Sequence, residues 1–78
     1  MAIIFSQHAK EMLKQRQIKQ TLVKKCASDP DYVQFARENK KIYLKDFGVN
    51  FLKLIVAEEG DNKIIITAHW LAKKRIKQ

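Results

Sequence analysis

Two histidines, His8 and His69, are the residues whose chemistry stands out in this chain. Imidazole titrates near ambient pH, so a histidine pair can work as base and acid in one reaction. Applied to RNA, one ring takes the 2′-hydroxyl proton while the other protonates the leaving 5′-oxygen, and no metal is needed. Arg16 is the group to hold the phosphate and offset the charge that builds up at phosphorus. The plainer reading makes His8 an exposed residue in a first helical turn and His69 a residue of a sheet. Both readings stand at the level of sequence.

Other chemistries find less support. The histidines have no cysteine or carboxylate at ligand spacing, so neither a metal site nor a cofactor is expected. Asp29 and Asp31 flank Pro30, and Asp46 precedes Gly48, which makes all three carboxylates turn residues. Cys26 falls on an apolar helical stripe and reads as core. Ser6 is explained by helix capping, and no glycine-rich phosphate loop is present. Trp70, Tyr43, Phe47 and Phe51 lie near lysines and could stack on bases, though strand aromatics also build cores. The basic end, with Lys73, Lys74, Arg75 and Lys77, is the candidate for phosphate contacts, or simply a solvated terminus.

The elements that must position these residues follow from periodicity. Residues 2–5, "AIIF", read as a strand, and Ser6 caps the helix after it. Ala9, Met12, Leu13 and Arg16 recur at i, i+3, i+4 and i+7 and form one inward stripe. A break near Gln17 leads to a second helix over 19–28, with Ile18, Leu22, Val23, Cys26 and Ala27 on its apolar side. "SDPD" at 28–31 stops it. The period then becomes alternating: strands are expected at 32–36, 41–47, 51–59 and 63–71, and both glycines, Gly48 and Gly60, fall at reversals.

The expected fold is one α+β domain over 1–78, ordered β-α-α-β-β-β-β, with two helices on one face of a small antiparallel sheet. Leu52, Leu54, Val56, Ile64, Ile66 and Ala68 are assigned to the helix-facing side. Phe51, Ile55, Ile65, Thr67 and His69 are assigned to the other. A first strand beside the last would bring His8 and His69 into one neighbourhood. The second face is too apolar to be fully wet, which leaves a covering tail or a homodimer open.

Charge is the strongest compositional signal. Sixteen Lys and Arg against eight Asp and Glu leave +8 on 78 residues. That field favours polyanions, so nucleic acid is the expected partner, with RNA ahead of DNA; a solubilising surface is the bland alternative. The lone cysteine fits a reducing cytoplasm. The apolar opening is too short for a secretory signal, and no run approaches the ~20 residues that span a bilayer, so no membrane role is expected.

"SQHAKEMLKQRQI" resembles the opening of a group of short uncharacterised proteins of the pattern S-x-H-A-x-x-R-M-x-x-R-x-I, related to RelE/ParE-type toxins. Ser6, His8, Ala9, Arg16 and Ile18 carry the likeness, with "DPD" at 29–31 and "IITAHW" at 65–70. Met12 and Leu13 depart from it, standing where the group often has Arg-Met. The resemblance implies a RelE-like fold and a toxin-like, metal-independent ribonuclease of a toxin–antitoxin pair, with an antitoxin protein as partner. It implies His8, Arg16, Thr67 and His69 as the site, Thr67 binding the phosphate or orienting a base. The tyrosine some ribosome-dependent RelE toxins carry near the C-terminus is missing, which speaks against cleavage on the ribosome. A non-catalytic nucleic-acid-binding or interaction module, or a ParE-like gyrase inhibitor, would use the same scaffold.

Overall fold

A computed structural model describes residues 2–72. Its elements run β1 (Ile3–Phe5), α1 (Gln7–Arg16), α2 (Gln20–Ser28), β2 (Tyr32–Phe35), β3 (Lys40–Asp46), β4 (Asn50–Glu59) and β5 (Asn62–Ala72). The fold is α+β in the expected order. The basic end that carries Lys73, Lys74, Arg75 and Lys77 lies outside the described residues.

Local chemistry sets the helix limits. Ser6 is extended, and its Oγ accepts from the Ala9 amide at 3.0 Å, satisfying one of the donors a helix start leaves open. At the other end Gln17 turns left-handed at φ 56, and its amide and that of Ile18 donate back to Leu13. That reversal produces the break and sends the chain into α2. After α2, Pro30 prevents helical continuation. The β2–β3 hairpin turns through Glu38 and Asn39, both at positive φ, and Gly48 and Gly60 take positive φ at the next two reversals.

The sheet order is β1-β5-β4-β3-β2. Strands β2 to β5 are antiparallel neighbours, whereas β1 pairs parallel with β5, so the sheet is mixed rather than wholly antiparallel. No hairpin joins β1 to β5, and the long stretch of chain between them permits the parallel pairing. The first strand therefore does lie against the last. Because β1 covers only Lys63 to Ile65, the edge of β5 beyond that point is open to α1.

The two helices cover one sheet face, α1 over β5 and α2 over β4 and β3. Ala9, Leu13, Ile18, Val23, Cys26 and Ala27 from the helical segment meet Tyr43, Leu52, Leu54, Val56, Ile65 and Ala68 from the sheet. Each fully buried Leu, Ile or Val contributes about 1.5–3 kcal/mol. One assignment of faces is corrected. Ile55 pairs with Thr67 but Val56 pairs with Ile65, so Ile66 is an extra residue in β5. That bulge reverses the alternation below it: Ile65 enters the core at 0% exposure, while Ile64 and Ile66 are only partly buried.

Candidate functional site

The face away from the helices is laid out by register. Residues paired across antiparallel strands point to the same side, and one row reads Tyr32–Leu44–Lys53–His69. The row beside it reads Gln34–Ile42–Ile55–Thr67, and Phe51 sits next to Lys53 on the same face of β4. Among the described residues no helix covers this surface. It is apolar at Ile42, Leu44, Ile55 and Leu71, with a lysine and a histidine directly opposite one another in its middle.

Lys53 is partly buried there and makes no ion pair among the described residues. Burial, then the Lys53 ammonium, then the Arg16 guanidinium push the His69 imidazole below its ordinary value. All three effects penalise the protonated ring, so His69 is neutral at pH 7 and has an acceptor nitrogen.

Arg16 arrives from the helix. His8, Met12 and Arg16 are spaced i, i+4, i+8 on α1, and the last two reach the open edge of β5. The Thr67 hydroxyl donates to the Met12 sulfur at 3.3 Å, and Arg16 Nη1 donates to the Ala68 carbonyl at 2.8 Å. That carbonyl is available because β1 stops at Phe5. Among the described residues Arg16 makes that one side-chain hydrogen bond, which uses one of its five N–H groups. Thus Arg16, Thr67 and His69 converge at the α1–β5 rim. His8 lies on the same helix row but two turns back, about 12 Å of axial rise from Arg16. It is exposed, and it is not in the group around His69.

Lys53 was not among the residues singled out from sequence. The signal was available: the alternation in "FLKLIV" puts Lys53 on the face away from Leu52 and Leu54, which is the face His69 shares. Of the four aromatics considered for stacking, Tyr43 is in the core at 3% exposure, and Phe47 and Trp70 pack edge to face at 5.9 Å against it. Phe51 does lie on the open face, tilted against Tyr32 at 6.1 Å between ring centroids.

Elsewhere charge serves structure. Lys45 bridges Asp29 and Asp31 at 3.6 and 4.0 Å, and Asp31 and Asp46 accept backbone amides. Glu58 accepts from the Tyr43 hydroxyl at 2.8 Å and pairs with Lys41 at 3.0 Å. Those bonds hold the Glu58 carboxyl below its usual range, and burial together with the Glu58 bond pushes Tyr43 up to about 12. Burial likewise pushes the Cys26 thiol up to about 12, which makes it inert packing. Among the described residues no group of three or more His, Cys, Asp or Glu could hold a metal ion, and no helix is long and apolar enough to cross a membrane.

A family model described as a domain of unknown function (DUF4258) matches residues 5–70, which runs from the last residue of β1 through most of β5 and takes in every residue of the rim. No curated protein and no solved structure matches the chain.

Proposed function

We propose, for a chain that belongs to the DUF4258 family, that the uncovered sheet face binds single-stranded RNA, its backbone phosphates held by Arg16 and Lys53 beside His69. The observation that carries this is the partly buried Lys53, without an ion pair among the described residues, set opposite His69 in an apolar surface. Its stem lies along the apolar rows, and its ammonium has no carboxylate partner among the described residues. A phosphate oxygen bound between Lys53 and Arg16 supplies that counter-charge and leaves the apolar rows to contact ribose and base. The net charge of +8 steers polyanions toward the protein.

A second reading, cleavage of the bound strand, is favoured by the neutral His69 ring. In it His69 removes the 2′-hydroxyl proton, the 2′-oxygen attacks phosphorus, and the bond from phosphorus to the 5′-oxygen breaks. The departing oxygen takes a proton from a second acid. His8 reaches that position only if the strand runs along α1. The resemblance of 6–18 and 65–70 to a group of short uncharacterised proteins, read as relatives of RelE/ParE-type toxins, supports this reading, and an antitoxin would then be the natural partner.

Titration of a labelled 12-nucleotide RNA at 50 mM salt tests the binding, with Kd about 100 µM or tighter expected; absence of saturable binding would overturn it. Incubation of that RNA in chelator tests the second reading. Cleavage lost on His69→Asn at unchanged melting temperature supports it, and an intact strand with the native protein refutes it.

A further inference from the structure

The open face has a second feature one row-length from the cations. A shallow cleft of about 200 Å³ is lined by Tyr32, Gln34, Leu44 and Phe51. Tyr32, on the edge strand β2, is 57% exposed. The Tyr32 and Phe51 rings touch as a tilted pair, 6.1 Å between centroids and 56° between planes, which leaves the other face of the exposed Tyr32 ring open at the wedge-shaped cleft. Leu44 closes the bottom. Gln34, the next position of β2 on this face, brings an amide with both donor and acceptor atoms to the wedge.

We propose that this wedge is a nucleobase-stacking subsite: one unpaired base of the RNA lies on Tyr32 against Phe51, with the Gln34 amide at its edge. The inference rests on the proposed RNA-binding reading and narrows its ligand to single strands. Tyr32 stands two strand spacings from Lys53 along one row, about 10 Å. A nucleotide whose base occupies the wedge therefore sets its neighbouring phosphate over Lys53. Arg16, Lys53 and His69 gather at one end of the row; among the described residues no carboxylate stands in that row between Lys53 and Tyr32, and Asp46, paired with Phe51, is the one acid beside the wedge on this face. Because β2 is the last strand of the sheet, the wedge opens sideways and lets the strand leave. A paired base has both faces covered by its neighbours and cannot enter.

The test uses an eight-nucleotide RNA carrying one 2-aminopurine, whose emission falls when its ring stacks. With the native protein, binding quenches emission, and annealing a complementary strand weakens binding at least tenfold. Tyr32→Ala lowers affinity about 5- to 150-fold and removes the quenching, while Tyr32→Phe keeps both. Tyr32 is exposed on an edge strand, and melting temperatures check that the variants stay folded.

Several outcomes overturn the subsite. If Tyr32→Ala binds and quenches like the native chain while Lys53→Met loses affinity, the wedge is not used and the phosphate site stands. Equal affinity for the duplex also removes the proposal. If sedimentation shows a dimer that Tyr32→Ala dissociates, with RNA binding unaltered, the wedge is a contact between two copies. If the native protein binds no RNA, the proposed function falls and the subsite with it.

Discussion

Replacing Lys53 by Met keeps most of the side chain's apolar stem and deletes its charge, which isolates electrostatics from packing. At pH 8 His69 is neutral, because burial, Lys53 and Arg16 all lower it from 6.5. The patch then contributes two cations, Arg16 and Lys53. Each phosphate neutralised on a single strand adds about −0.7 to the slope of log K against log salt, so the patch contributes about −1.4. Between 50 and 200 mM salt that slope weakens binding about 7-fold, and about 2.6-fold once one cation is gone. Whatever other lysines add to the total, the difference in slope between native and Lys53→Met stays near ~0.7. Fluorescence anisotropy at five salt concentrations measures it. Lys24→Met, on the exposed side of α2, is the control and leaves the slope unaltered. Equal slopes for native and Lys53→Met, or an equal drop for Lys24→Met, would refute the assignment of phosphate binding to the outer sheet face.

Three further outcomes follow from packing and titration. Leu54→Ala, at 0% exposure in the centre of β4, lowers stability about 2–5 kcal/mol in urea unfolding, because α2 and the sheet cannot close on the gap. The folded His69 takes up a proton less readily than the unfolded chain, so its contribution to stability is complete above about pH 6.5 and is lost as pH falls from there. Melting temperatures from pH 8 to 5 decline accordingly, and His69→Gln removes that part of the decline. Cys26, buried and with its thiol pushed up to about 12, reacts with a disulfide reagent only as fast as the protein opens; fast labelling in native buffer would contradict the packing.

Much of this architecture was legible because hydrophobic period tracks burial. The stripe through Ala9 and Leu13, the alternation of Leu52, Leu54 and Val56, and the glycine reversals all report one local choice each. The bulge at Ile66 was not legible, since three consecutive isoleucines satisfy either register and only pairing with Val56 decides between them. The parallel placement of β1 puts the α1 row beside His69, yet the helix rise separates His8 from that group, a distance that residue type does not encode. Lys53 went unread for a different reason. A lysine in a strand looks like solvent exposure until a second element shows that its neighbours are isoleucine, leucine and an imidazole.

Amide chemical-shift mapping with an eight-nucleotide single-stranded RNA tests the central claim most directly. Shifts concentrated at Tyr32, Leu44, Lys53, Thr67 and His69, with α2 from Gln20 to Ser28 unmoved, are the result this account requires. Shifts concentrated on the solvent side of α2 with the β4–β5 face silent would contradict it.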